Sequence, residues 1–167
     1  RDRFTTNHFA RKNTDVKFTG VDFAKSIIWA EKIRKELHLK NIKFVKTDLH
    51  KFTSKTKYGV ILCQGVLHHI PSYNKVLKKL QRMIKNNGLV IIGLYHPWGK
   101  MLQKLLPIQY QSNVLEEDQE KNPFELSFTK KQVVKMFKGF KLIDSNPSTY
   151  VNWRNGGLTV YVFRKVQ

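Results

Sequence analysis

The chain has 167 residues, 41% of them hydrophobic, enough for one soluble domain with a single core; no window approaches the ~20 apolar residues of a membrane span. The opening RDRFTTNHFARKNTD has no secretory apolar segment, and a lone cysteine, Cys63, excludes a disulfide framework or a cysteine-based zinc site, so a cytoplasmic protein is expected. A formal charge of +19 from 31 basic and 12 acidic residues would attract polyanions, but 24 of the basic residues are lysines spread along the whole chain, which fits solvated helix faces better than an arginine-rich nucleic-acid footprint.

In chain order, NHFARKNTD reads as the tail of a helix. Residues 15–21 are rich in β-formers and read as a strand ending at Asp22. Over 24–39, Ile27, Ile28, Ala30, Ile33 and Leu37 recur at helical spacing, with Glu31 and Lys35 placed as an i,i+4 pair. Residues 41–45 form a second expected strand, closing at Thr47 and Asp48, and residues 58–63 a third, apolar on both faces. Ser72 is placed to cap a helix through Val76, Leu77, Leu80 and Ile84, which Asn86-Asn87-Gly88 would stop. A fourth buried strand spans 88–95. The segment after it is rich in proline and acid and reads as an insertion with a short helix near 101–106. A helix over 129–137 and strands near 140–144 and 158–164 complete the chain, the last two expected as an antiparallel pair. Strands alternating with helices over short connections specify an α/β fold with a largely parallel sheet.

In open α/β sheets, ligands sit beyond the carboxyl ends of the strands. At those ends stand Asp22, Asp48, Gln64-Gly65 and Tyr95-His96. Asp22 before a helix can accept both hydroxyls of a ribose while Phe23 packs on a base, and Asp48 can accept from an exocyclic amine. Two carboxylates there suit a nucleoside and repel a phosphate. The same acids also serve as a helix cap at Asp22 and a turn residue at Asp48. The pair His68-His69 calls for a third ligand before it can hold a metal, and no metal site is expected; fixing the loop to the following helix and touching substrate are the readings that remain.

The segments FTGVDFAKS, NIKFVKTDLHKF, YGVILCQGVLHHIPS and GLVIIGLYHP, in that order, resemble the class I S-adenosylmethionine-dependent methyltransferases over residues 17–95, and the C-terminal third resembles them more loosely. The resemblance implies a Rossmann-like, seven-stranded α/β sheet with helices on both faces and a C-terminal antiparallel strand pair. It implies S-adenosyl-L-methionine as cofactor, with Asp22 on the ribose, Phe23 against the adenine, Asp48 on the adenine amine, a backbone N–H at Leu49, and Gln64 and Gly65 beside the methionine half. His69, Tyr95 and His96 become candidate acceptor contacts, with His96 the candidate base.

The family's glycine-rich loop after its first strand is absent, since none of the nine glycines forms a GxG. The chain therefore reads as the greater part of a longer polypeptide, lacking the central strand between those that end at Asp22 and Gln64. Without that strand, buried backbone groups would go unpaired at ~1–3 kcal/mol each. Residues 1–167 are expected as one methyltransferase domain, incomplete at its N-terminus, with 97–128 as an insertion covering the acceptor. Its aromatic and apolar residues suggest a partly apolar pocket or lid, and the lack of an aromatic stacking platform among the basic residues favours a small-molecule acceptor. The rivals are an RNA or other nucleic-acid methyltransferase, a nicotinamide-dependent oxidoreductase and a noncatalytic basic nucleic-acid-binding domain. No membrane contact is expected, and the sequence sets no oligomeric state.

Overall fold

The computed structural model describes residues 5–97, 101, 126–146 and 158–166. The expected helix near 101–106 and nearly all of the insertion lie outside the described residues, Trp98, Leu102, Leu105, Leu106, Tyr110 and Phe124 among them. The described residues fall into two compact units, up to Thr53 and from Ser54 onward.

The first unit runs α1 (Thr5–Lys12), β1 (Phe18–Asp22), α2 (Ser26–Glu36) and β2 (Ile42–Lys46). The two strands pair in parallel from Phe18 opposite Ile42 to Asp22 opposite Lys46, so both chains leave the sheet at the same edge. Ala10, Leu39 and Ile42 form the buried core, with Phe18 and Phe44 packed against it. Phe44 lies over Gly20, where a Cβ would come within 2.5 Å of the ring. Helix α2 ends three residues sooner than the expected span to Leu39. His38 turns left-handed at φ 51°, and the N–H groups of His38 and Leu39 bond back to the carbonyls of Lys35 and Arg34, closing the helix in a Schellman motif. The expected Glu31–Lys35 pair gives way to Arg34, whose Nε and second terminal nitrogen reach the two Glu31 oxygens at 2.9 and 2.7 Å. A guanidinium fork matches both oxygens of a carboxylate, which a single ammonium does not. That bond holds the Glu31 carboxyl below its ordinary pKa.

The Asn41 amide nitrogen lies 2.9 Å from the Ala10 and Asn13 carbonyls and 3.0 Å from that of Val16, tying the end of α1 to the start of β2. Asn41→Ala is expected to destabilise the protein by about 1–3 kcal/mol, because it strips donors from several carbonyls at once. Chemical denaturation would show this as a lowered midpoint with an unchanged slope.

The second unit contains β3 (Tyr58–Gln64), a 3-10 turn (Leu67–His69), α3 (Tyr73–Met83), β4 (Ile84–Tyr95), α4 (Lys130–Met136), β5 (Phe140–Asn146) and β6 (Leu158–Lys165). Its sheet has the order β3-β4-β6-β5, with β3 parallel to β4 and the β4–β6 and β5–β6 pairs antiparallel. Val90, Ile92 and Leu94 of β4 are buried beside Phe163, Tyr161 and Thr159 of β6. Helix α3 buries Val76, Leu77, Leu80 and Met83 on one stripe, and Gln81 Nε2 donates to the Met136 carbonyl at 3.0 Å, joining α3 to α4. Thr129 caps α4 through a reciprocal box with Gln132.

The alternation of strands and helices, the mixed sheet and the antiparallel C-terminal pair are as the sequence predicts. Three local readings differ. Ser72 precedes α3 but its side chain caps nothing. Strand β4 begins at Ile84, so Asn86 and Asn87 belong to an irregular start of the strand, with Asn87 at φ 60° and a shift of register between Tyr58 and Val60 of the partner. Strand β3 is not covered on both faces: Val60 and Leu62 are 54% and 46% exposed. Among the described residues β1 pairs only with β2, and β3 only with β4. No described helix is long and apolar enough to cross a membrane.

Candidate active site

In the first unit the two acids stand at one sheet edge. Asp22 Oδ1 accepts from the Ala24 N–H at 3.1 Å and Oδ2 from the Ser26 hydroxyl at 3.3 Å. Asp48 Oδ1 accepts from the His50 N–H at 2.7 Å, and its carbonyl accepts from Lys51 and Phe52 at 2.9 Å each. Both are thus turn residues, and the expected cap at Asp22 is not realised: Lys25 stands before α2 and no side chain caps that helix. An ionised carboxylate has about four lone-pair sites, so each retains acceptor capacity at the surface. One rung beyond the strands, Thr47 N–H donates to the Asp22 carbonyl at 2.9 Å, holding the loop that carries Asp48 against the loop that carries Asp22. Phe23 beside them is 74% exposed, a ring free to stack, and Leu49 is half-buried. A groove of about 410 Å³ on this unit is lined by Ile28, Phe44 and Lys46 among others. It contains none of the sequence-predicted site residues, so we locate the site by its donor and acceptor chemistry and not by concavity.

In the second unit the remaining candidates gather at the carboxyl ends of β3 and β4. Gly65 turns left-handed at φ 72°, which glycine adopts without strain, and its N–H donates to the Gly93 carbonyl at 3.4 Å. Gln64 is exposed and pairs with Gly93 across the parallel strands. The His68 ring is fully buried, with ring centres 4.2 Å from His69 and 4.1 Å from Tyr95. His69 and Tyr95 lie 6.2 Å apart, edge to face. Two of the three predicted acceptor contacts are therefore brought together. The third, His96, follows Tyr95 and is half-buried. His68 and His69 share this cluster, although neighbouring side chains on regular elements diverge, because the 3-10 turn folds both rings toward Tyr95. The chain returns to the cluster at 126–128, where the N–H groups of Leu126 and Phe128 donate to the carbonyls of His68 and Tyr95 at 2.9 and 2.8 Å. Among the described residues no group of three or more His, Cys, Asp or Glu could hold a metal ion.

Cys63, next to Gln64, is buried, and burial pushes its thiol up from about 9.0 to about 12, partly offset by a backbone hydrogen bond at Leu67. It is no nucleophile at neutral pH. Because the unfolded thiol ionises first, the folded state holds the extra proton, and the stability this contributes is present below about pH 9.0 and is lost as the pH climbs toward about 12. Cys63→Ala is expected to flatten the alkaline limb of the stability curve, read by chemical denaturation across that range. An unchanged limb would mean the thiol is not held protonated.

Sequence reasoning missed Gly93, the buried position of His68 and the Thr47–Asp22 rung. Gly93 had a signal, a lone glycine inside VIIGLY, since glycine within a strand marks a bulge or a close approach.

A parallel β-α-β unit with acids at its carboxyl ends, and a second parallel pair extended by antiparallel strands, are the elements of a Rossmann-like α/β fold. The family described as "Methyltransferase domain" matches residues 3–146, and the chain belongs to it. Pavine N-methyltransferase of Thalictrum flavum subsp. glaucum is 30% identical over 116 residues, 68% of this chain and 30% of that protein; the chain thus spans under a third of the relative's length. The N-methyltransferase NodS of Bradyrhizobium japonicum WM9, solved with S-adenosyl-L-homocysteine, superposes with a TM-score of 0.67 at 10% identity, over 98% of this chain and 75% of its own. Coclaurine N-methyltransferase, solved with N-methylheliamine and S-adenosylhomocysteine, gives 0.66 at 13% identity, over 96% of this chain and 64% of its own. At these identities the superpositions show the fold, a Rossmann-like methyltransferase sheet, and not the substrate.

Proposed function

We propose that residues 1–167 form part of a methyltransferase domain that binds S-adenosyl-L-methionine and methylates the nitrogen of a small-molecule amine. The observation that carries this reading is the Thr47–Asp22 rung, which fastens the loop that carries Asp48 to the end of β1 that carries Asp22, so that both acids stand at the carboxyl ends of a parallel strand pair. The donor set fits the cofactor: hydroxyls and an amine bond to carboxylates, whereas a phosphate would be repelled. When bound, the cofactor supplies an electrophilic methyl group, open to in-line displacement by an acceptor lone pair.

The chain's own residues bind, orient and manage a proton. Asp22 accepts the ribose hydroxyls through the lone pairs that its bonds to Ala24 and Ser26 leave over. Asp48 accepts the adenine amine, the Leu49 N–H meets the ring, and Phe23 stacks on it. Gln64 and Gly65 face the methionine half. Tyr95 and His69 offer aromatic edges and faces that suit an amine and its apolar frame, and His96 takes the proton an acceptor nitrogen must shed to expose its lone pair. Most of the acceleration then comes from proximity and alignment. The amine is favoured over other acceptors because the relative that shares 30% identity is an N-methyltransferase by name.

Calorimetric titration of S-adenosylhomocysteine into the longest natural polypeptide containing this chain, followed by transfer of labelled methyl to a panel of cyclic amines and to RNA, tests the proposal. Micromolar binding with label on an amine supports it. Absence of binding removes the cofactor reading, and label on RNA alone removes the small-molecule acceptor.

A further inference from the structure

We infer that Gly93 is a positioning residue for the cofactor's methionine half, acting as the seat on which Gln64 rests; the inference rests on the proposed role of Gln64. Glycine inside a strand costs about 0.5–1 kcal/mol relative to alanine, and β4 carries this one between Ile92 and Leu94, both buried. Backbone conformation does not account for it, because among the described residues the glycines at positive φ are Gly65 and Gly139. Space does. A Cβ on residue 93 would stand 3.3 Å from Gln64 Cγ, 3.4 Å from Gln64 Cα and 3.2 Å from Leu158 Cδ2. The Gln64 stem therefore crosses the bare backbone of its parallel partner, and Leu158 closes in on the same bare position.

The same residue holds the turn that follows, through the bond from the Gly65 N–H to the Gly93 carbonyl. One glycine thus governs both members of the Gln64-Gly65 step. Gly20 shows the contrasting case: its bare backbone seats Phe44, a ring packed against the core, and there the reason is packing. At Gly93 apolar Leu158 approaches on one side, but the other neighbour, Gln64, is an exposed polar side chain at a strand's carboxyl end, which has no core to fill.

A methyl group at residue 93 would displace Gln64 by a few tenths of an ångström. Misplacement of that order in a binding constellation is expected to weaken S-adenosylhomocysteine about tenfold. The test is a double-mutant cycle on the full polypeptide, with calorimetric affinity for S-adenosylhomocysteine and thermal midpoint as the two readouts. Gly93→Ala should weaken binding about tenfold when Gln64 is present and less than about twofold in a Gln64→Ala background. A purely structural role would move the midpoint and weaken binding equally in both backgrounds, which overturns the inference, as does no loss in either. If Gly93→Ala fails to fold, Gly93→Ala with Leu158→Ala relieves the crowding on the other side and carries the same comparison. Should Asp22→Ala abolish binding while Gln64→Ala leaves it unchanged, the cofactor reading stands and this inference falls. If the unaltered polypeptide binds no S-adenosylhomocysteine, both fall.

Discussion

Asp22→Ala is expected to weaken S-adenosylhomocysteine a hundredfold or more, an effect on the order of 3 kcal/mol from two charge-assisted hydrogen bonds. The substitution also removes the acceptor for the Ala24 N–H and the Ser26 hydroxyl, at a cost of about 1 kcal/mol to the turn that precedes α2. The two losses separate experimentally. Asp22→Asn keeps a carbonyl oxygen for the Ala24 N–H while discarding the charge and one acceptor, so it should restore most of the stability and only part of the affinity. Calorimetry beside thermal denaturation distinguishes them. An Asp22→Ala protein that binds as tightly as the unaltered one would reduce this carboxylate to a turn residue.

Phe163→Ala should cost about 3–5 kcal/mol, the range for deleting a buried aromatic ring. Phe163 is 1% exposed and lies parallel to Phe137 at 3.9 Å with an interplanar angle of 3°. It stands opposite Val90 in the antiparallel β4–β6 pair. Its loss opens a cavity between α4 and the sheet and leaves the Phe137 face without contacts. For a chain of this size the thermal midpoint should fall by roughly 10 °C or more. Phe163→Leu, which retains most of the volume, should lose a good deal less. A drop for Phe163→Ala no larger than that for a surface substitution would show that the stack does not hold α4 on the sheet.

The architecture was legible because an α/β fold writes itself in local periodicity: buried strands as short apolar runs, helices as a stripe at 3.6 spacing, junctions as turn residues. The acids at Asp22 and Asp48 were legible for a related reason, since a polar residue directly after a buried strand stands at the one edge where loops leave room for a ligand. What stayed hidden depends on neighbours that sequence spacing does not name. Glu31 has cations at both i+3 and i+4, and only the fork geometry of Arg34 decides between them. Asn86-Asn87-Gly88 signals a stop, but whether it ends a helix or kinks a strand turns on Ile84, which pairs with Tyr58. The exposed Val60 and Leu62 read as buried, because an apolar residue in a strand reports hydrophobicity and not what lies against it. The functional readings of Gln64, His69, Tyr95 and His96 rest on their place at strand ends, and substitution at each tests them singly.

The backbone bond between Thr47 and Asp22 also bears on selectivity. Fastening two acceptor loops to each other means that a ligand spanning both gives up its translational and rotational freedom only once, while making the contacts of both. Free adenine or free ribose makes half of those contacts and gives up nearly the same freedom. On the proposed reading the edge would therefore discriminate by connectivity, holding a whole nucleoside far more firmly than the affinities of its fragments would suggest.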